Sequence, residues 1–249
     1  MAQQRQAVFL VGDSGLVLEW GELFHRNGWH ILYKINKEQS RVTFPKHFKK
    51  ALRPSKATQL GIELTNIDLG MKEKNLAELG KSISSSSVLL TSSITVSATE
   101  QSTWIKYPQR LLGISALPSL LNNNLVELAP TVHTKREVIT YIQELLKKSG
   151  KESAVIQDRV GMVMPRILCM LVNEAMFALT EGIASPQDID TAMKLGTNYP
   201  AGPVQWGNSI GLKHVLSIID ALYNDLHEER YRAAPLLRQL STGTQWWKS

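Results

Sequence analysis

The side chains best suited to chemistry are few and widely spaced in this sequence. Imidazole titrates near neutral pH and is the side chain used most often as a general base. The histidines stand at His25, His30, His47, His133, His214 and His227. A single cysteine, Cys169, excludes an internal disulfide and a zinc site built from several cysteines, and it fits a reducing compartment.

Length and composition limit the possible classes of protein. The 249 residues predict one large domain or two small ones. Hydrophobic residues at 43% and charged residues at 20% exclude global disorder. No apolar run approaches the roughly 18 residues that a membrane helix needs. The net charge of +6 is mild and spread along the chain, so we expect neither a nucleic-acid partner nor a membrane partner.

The opening segment is interpreted as part of the fold. Asp13 and Ser14 interrupt its apolar stretch, and no small-residue cleavage site follows them. These features argue against a signal peptide. Together with the single thiol, they lead us to expect a cytoplasmic protein.

The first half of the chain has the pattern of alternating strands and helices. Residues 7–11 are an unbroken apolar run, which predicts a strand covered on both faces. A turn, a helix over 16–26 and a strand over 31–35 follow and complete a parallel βαβ unit. Further strands are predicted at 62–67, 88–90, 111–114, 125–128 and 154–156, and helices at 46–52, 71–83 and 134–149. This alternation favours an α/β domain with a mostly parallel sheet.

The character of the sequence changes after Gln157. Helical patterns cover 162–180, 186–195, 212–226 and 234–240, with glycines between them and no strand pattern. We therefore predict two domains, an α/β domain over residues 1–157 and an all-α domain over 158–249.

The helical half resembles one family of enzymes. It is similar to the C-terminal domain of the 3-hydroxyacyl-CoA dehydrogenases, and the first half resembles, more weakly, their NAD-binding Rossmann domain. The motifs are DRVGMV at 158–163, NEA at 173–175, EG at 181–182, DIDTAMKLG at 188–196, YPAGP at 199–203 and GL at 211–212. The resemblance implies NAD-dependent oxidation of a 3-hydroxyacyl-CoA to a 3-ketoacyl-CoA in fatty acid metabolism. It also implies an acyl-CoA ligand and a homodimer formed through the helical domain.

The resemblance places the cofactor contacts on the first βαβ unit. A Rossmann loop has the pattern G-x-G-x-x-G, with one glycine for the turn, one for the pyrophosphate and one for helix packing. Gly12, Ser14 and Val17 stand at these positions, and Gly15 takes the second role if the turn is one residue longer. The acid that binds the ribose is replaced by Ile35, with Asn36 next to it as a neutral substitute. These changes predict impaired NAD binding.

The catalytic residues of the family are also changed. The family has a histidine base followed by an L-V-E motif, which Leu125-Val126-Glu127 matches. Counting back from it places Ser115 where the histidine stands, and a hydroxyl is far too weak a base. Glu127 is then an orienting carboxylate without its histidine.

Two further motifs hold the substrate oxygen in the family. The S-N-T-S motif aligns with residues 91–94, where Ser92 or Ser93 remains as a donor and the last serine is Ile94. The asparagine of V-N-R is Pro165, which has no side-chain donor.

A deletion accompanies these substitutions. Ile35 and Ser92 are only 57 positions apart (92 − 35), which is too few for the helical hairpin that helps family members hold CoA. We therefore predict a family member that is impaired in hydride transfer and serves as a binding, regulatory or structural protein. The alternative is an active 3-hydroxyacyl-CoA dehydrogenase with a rearranged site.

Overall fold

The computed structural model describes residues 6–36 and 42–243. In this part of the chain one sheet has the strand order β3-β2-β1-β4-β5-β6-β7-β8, and every neighbouring pair is parallel except β6 and β7. The strands are β1 (Ala7–Gly12), β2 (His30–Ile35), β3 (Lys49–Lys50), β4 (Leu60–Leu64), β5 (Val88–Ser92), β6 (Leu111–Ile114), β7 (Leu125–Pro130) and β8 (Glu152–Val155). The helices are α1 (Ser14–Arg26), α2 (Leu69–Ser82), α3 (Ala98–Ser102), α4 (Arg136–Lys148), α5 (Met164–Thr180), α6 (Pro186–Thr197), α7 (Pro203–Ile210), α8 (Leu212–Leu226) and α9 (Pro235–Leu240).

Both faces of the central strand β1 are covered by helices. Val8 and Leu10 pack in one core cluster with Trp20 of α1. Phe9 and Val11 pack in another cluster with residues of α2. Alternate residues of a strand point to opposite faces, so this arrangement accounts for the unbroken apolar run. The predicted Rossmann-type α/β domain with its mostly parallel sheet is confirmed.

Gly12 permits the tight exit from β1. Its φ angle is +144°, and an added Cβ would lie 2.4 Å from the carbonyl carbon of Leu64 on the neighbouring strand β4. Only glycine tolerates both the backbone conformation and the close approach. The end of β1 therefore lies directly against the end of β4.

The helical region packs around α5 and α8. Cys169, Val172 and Met176 of α5 share a buried cluster with Val215 and Ile218 of α8. Ile94, Leu117 and Ala129 of the first half belong to the same cluster, so the two regions share a core. The predicted all-α second region is confirmed.

The helix α6 lies outside this core. It buries none of its residues. The Asp190 carboxylate on α6 accepts hydrogen bonds from the backbone N–H groups of Val204 at 2.8 Å and Gln205 at 3.1 Å, in the first turn of α7. Carboxylates are favourable at a helix amino end, so Asp190 attaches α6 to α7.

Several local predictions were wrong. Residues 46–52 form a turn and the short strand β3 in place of the predicted helix, because Phe48 packs into the core beside Tyr33 and Phe44. The helices α3 and α7 were not predicted, since each is too short for a clear apolar period.

Among the described residues, no helix is both long and apolar enough to cross a membrane.

Candidate active site

The predicted site residues gather at one edge of the sheet. Gly12, Ser92 and Ser115 stand at or just after the carboxyl ends of β1, β5 and β6, and Asn36 follows β2. The antiparallel strand β7 begins at this edge and brings Glu127 to Ser115. The backbone N–H of Ser115 donates to the Glu127 carbonyl oxygen at 3.1 Å, and the Glu127 N–H donates to Ser115 Oγ at 3.0 Å. In doubly wound folds, ligands bind outside the carboxyl ends of the parallel strands.

Glu127 caps a helix in this structure. Its carboxylate accepts hydrogen bonds from the backbone N–H groups of Val163 at 3.0 Å and Met164 at 2.7 Å, at the start of α5. The residue is only 3% exposed. A carboxylate at a helix amino end satisfies free N–H groups and interacts favourably with the helix dipole. Both oxygens of Glu127 therefore have backbone partners, and its orienting role remains a prediction.

Ser115 borders a mainly apolar cavity of about 370 Å³. The hydroxyl is buried and accepts its hydrogen bond from the Glu127 backbone. The walls come from β7, α5 and the segment that leads into α7, where the Tyr199 and Trp206 rings lie 5.4 Å apart between centroids. The other lining residues are Asn123, Leu125, Glu127, Met164, Ile167, Leu168, Leu171 and Pro200. No histidine is among the described lining residues, and His133 is exposed on the surface.

Ser92 is buried among internal hydrogen bonds. Its hydroxyl donates to Oδ1 of Asn66 at 2.6 Å, and it also lies 3.3 Å from the Ala116 carbonyl oxygen. Ser93 is buried as well, with its hydroxyl 3.3 Å from the Thr91 carbonyl oxygen. Ile94 packs into the helical core. Contact between either hydroxyl and a substrate oxygen remains a prediction.

The turn after β1 differs from a phosphate-binding loop. The helix α1 begins at Ser14, so Gly15 lies inside its first turn, and a Cβ added there would meet nothing within 4 Å. Ser14 is buried, and Val17 is fully buried in the core cluster of β1. Only Gly12 keeps the geometry that a Rossmann turn requires of its first glycine.

Asn36 is held by neighbouring side chains. Its amide nitrogen donates to Thr65 Oγ1 at 3.1 Å, and its amide oxygen accepts from the Asn75 side chain at 3.0 Å. The ribose position thus carries a neutral amide with both polar atoms engaged. Together with the residues of the turn, it does not fit the dinucleotide seat that the resemblance implies. The cofactor roles of Gly12, Ser14, Gly15 and Asn36 remain predictions.

A buried ion pair lies just behind this edge and was not predicted. The Lys72 ammonium donates to the Glu63 carboxylate and, at 2.9 Å, to the Thr65 carbonyl oxygen. Glu63 also accepts from the Thr65 backbone N–H at 2.8 Å. The sequence did contain a signal for this pair, because Glu63 lies within an apolar strand pattern. A carboxylate buried in such a strand requires a partner.

The fold and the site define an architecture in which a Rossmann sheet is followed by a helical domain, with a cavity between them. The chain belongs to the 3-hydroxyacyl-CoA dehydrogenase family. Residues 29–159 match the model of the family's NAD binding domain, and residues 161–245 match that of its C-terminal domain. The first match begins at Trp29, after the turn at Gly12.

Named relatives support this assignment. The chain is 32% identical to the 3-hydroxybutyryl-CoA dehydrogenase of Clostridioides difficile, over 76% of this chain and 68% of that protein. The probable 3-hydroxybutyryl-CoA dehydrogenase of Bacillus subtilis is 30% identical, over 76% of this chain and 66% of that protein. The crystal structure of (S)-3-hydroxybutyryl-CoA dehydrogenase from Ralstonia eutropha has the same fold, with a TM-score of 0.73 at 24% identity over 96% of this chain and 94% of that one.

Proposed function

We propose that this chain is a 3-hydroxyacyl-CoA dehydrogenase family protein that is impaired in hydride transfer and acts by binding its ligand. The observation that carries the proposal is the pairing of Ser115 with Glu127. The family position of the histidine base holds a hydroxyl, and the carboxylate beside it is bonded to the amino end of α5. Loss of a general base typically lowers a rate by about 10²–10⁴-fold.

The ligand that we propose is the acyl portion of an acyl-CoA. The cavity beside Ser115 keeps a volume of about 370 Å³, and most of its walls are apolar. Apolar concave sites with a few polar groups are typical of small-molecule binding. Ser115 and Asn123 are polar groups on this wall that suit a thioester or a 3-oxygen substituent.

We also propose a homodimer formed through α5 and α6. Ile167 on α5, Ile183 before α6 and Leu195 on α6 are 50%, 69% and 82% exposed. Exposed apolar patches are typical of protein interfaces, and α6 buries none of its residues in this chain. Sedimentation should show a dimer at micromolar concentration, and Leu195→Glu should shift it toward monomer. A wild-type monomer contradicts this proposal.

The proposed compartment is the cytoplasm. Cys169 is a free thiol buried in the helical core, and it suits a reducing environment. The mild net charge of +6 supports the expectation that nucleic acid is not the partner.

The test of the proposed function is a turnover assay with acetoacetyl-CoA and NADH. The C. difficile relative, prepared in parallel, provides the reference rate. We expect this chain to be slower by about 10²-fold or more, because no imidazole stands at Ser115. Ser115→Ala should lower the residual rate by far less than the roughly 10²–10⁴-fold typical of a lost base, since the hydroxyl is not the base. A wild-type rate within about tenfold of the relative would overturn the proposal.

A further inference from the structure

The Asp13 carboxylate lies beside the amino end of α1 but makes no hydrogen bond to the N–H groups of the helix. Asp13 directly precedes the helix, and its Oδ2 accepts the backbone N–H of Asn66 at 3.0 Å. The backbone of Asp13 is fixed as well: its N–H donates to the Leu64 carbonyl oxygen at 3.2 Å, and its own carbonyl oxygen accepts from Val17 at 2.9 Å. Asp13 was not singled out as a functional residue in the sequence, because its side-chain partner Asn66 lies 53 positions away.

Asn66 connects Asp13 to the rest of the sheet edge. Its side-chain oxygen accepts from the Ser92 hydroxyl at 2.6 Å, and its side-chain nitrogen donates to the Ala116 carbonyl oxygen at 2.8 Å. The ends of β1, β4, β5 and β6 are therefore joined by one buried hydrogen-bonded chain. A displacement of the Asp13 carboxylate by a ligand would break its bond to Asn66, the residue at the centre of this chain.

Two lysines near this edge, among the residues that the structure describes, already have carboxylate partners. Lys72 is paired with Glu63, and Lys34 on β2 donates to Glu78 on α2 at 2.7 Å. A pyrophosphate placed here would face the Asp13 carboxylate without an unpaired lysine among these neighbours to balance it. Like charges in a partly buried site repel strongly, because water screens them little.

We propose that Asp13 determines specificity at this edge by excluding ligands that carry a diphosphate, dinucleotides included, from the amino end of α1. In dinucleotide-binding folds the pyrophosphate meets the amino end of the first helix, where N–H groups and the helix dipole attract an anion. In this chain Asp13, the residue before the helix, brings a fixed carboxylate next to that position, where it accepts from the Asn66 N–H and not from the helix. The inference goes beyond the proposed function, because it rests on contacts of Asp13 and not on Ser115.

The experiment measures binding of ADP-ribose by titration calorimetry. ADP-ribose carries the diphosphate but has no nicotinamide, so its binding does not depend on hydride chemistry. We expect wild-type affinity weaker than about 1 mM, and at least tenfold tighter binding by Asp13→Asn. The amide oxygen in that variant still accepts the Asn66 N–H. Asp13→Ser is a second, shorter neutral variant in case the first does not fold.

The matched control is Glu22→Gln, which removes one carboxylate from the same helix at a surface position. It should bind ADP-ribose no better than the wild type. Micromolar binding by the wild type would overturn the proposal. Folded Asp13 variants that bind no better than the wild type, or an equal gain in the control, would also overturn it.

A measurement on the wild type alone avoids any dependence on folded variants. Burial, with smaller contributions from Glu63 and Asp68, raises the pKa of Asp13 to about 6, against the lowering effects of the Asn66 N–H and of Lys72. The diphosphate of ADP-ribose stays ionised in this range. Affinity should therefore be several-fold higher at about pH 5 than at about pH 8, and affinity that does not change with pH contradicts the exclusion by charge.

These results are separable from the proposed function. Tight ADP-ribose binding without turnover of acetoacetyl-CoA removes only the role of Asp13. Turnover near the rate of the relative removes the proposed function and, because NADH carries a diphosphate, the exclusion by Asp13 as well. Exclusion of ADP-ribose by Asp13 together with slow turnover supports both.

Discussion

Two neighbouring regions of the sheet edge differ in what their polar groups do. At the ends of β1, β2 and β4, polar side chains are held by hydrogen bonds to the backbone and to one another, as Asp13 and Asn36 illustrate. At Ser115, the polar groups are equally satisfied, but they border an apolar cavity of about 370 Å³. The first region is thus filled by its own contacts, whereas the second has open space. Ligand binding in this chain is better sought at the cavity.

The buried ion pair behind the polar edge should give the largest effect. Lys72→Met leaves the Glu63 carboxylate buried without its cation, and we expect a loss of about 3–5 kcal/mol in the free energy of unfolding. Urea denaturation would measure it. The double variant Lys72→Met with Glu63→Gln should recover most of the loss. A single-variant cost below about 1 kcal/mol would show that water reaches this pair.

The tight turn at Gly12 offers a matched pair of glycines. Gly12→Ala should destabilise the fold by about 3 kcal/mol, because its Cβ would meet the Leu64 backbone at 2.4 Å at a φ of +144°. Gly15→Ala meets no atom within 4 Å and lies in a helix, so it should be neutral or stabilising by up to about 1 kcal/mol. Equal melting temperatures for the two variants would refute the close approach.

The pH dependence of stability should contain two opposing contributions. Burial lowers the pKa of His214 from 6.5 to about 4, so its contribution to stability is lost as pH falls from 6.5 toward 4. Burial raises the pKa of Asp13 from 3.8 to about 6, so stability is lost as pH rises through that window. The two contributions therefore oppose each other in the wild type.

Single variants separate these contributions. Asp13→Asn should show stability that rises with pH between about 4 and 6, by about 1 kcal/mol per pH unit. His214→Gln should show the opposite slope. Urea titrations across this range would measure both, and identical slopes in the two variants would contradict the assignment.

The cap on α5 should give the smallest effect. Glu127→Gln removes the charge next to the helix dipole but keeps one acceptor, and we expect a loss of about 1 kcal/mol. Glu174→Gln, at an exposed position on the same helix, is the control and should change the melting temperature little. An equal loss in both variants would show that the contact between Glu127 and α5 contributes nothing to stability.

The sequence predicted the elements whose signal is local. The strand at residues 7–11 and the helix Leu212–Leu226 appear where the apolar patterns place them, because burial of a whole face dictates those patterns. The helix predicted for residues 46–52 was wrong, since the structure of this segment follows from the packing of Phe48 against distant Tyr33. Short elements such as α3 depend on a distant cap: the Asp158 carboxylate accepts from Ala98 and Thr99.

The candidate site was predictable in position but not in its bonds. Counting back from Glu127 singled out Ser115, and the two residues are hydrogen-bonded in the structure. The same reasoning gave Glu127 an orienting role and did not anticipate its bonds to Val163 and Met164, which lie 36 and 37 positions away. Hydrogen-bond partners so far apart in sequence leave no periodic signal, which is also why Asp13 and Asn66 were missed.

The attachment of α6 through Asp190 has a mechanical consequence. An added Cβ at Gly202 would lie 2.1 Å from the Asp190 carboxylate, so the chain entering α7 is pressed against α6 without room to slide. The same short stretch carries Tyr199, Pro200 and Trp206, which form one wall of the cavity. A protein that binds the exposed side of α6 would therefore displace this wall of the cavity. A ligand that fills the cavity would displace α6 through the same contact.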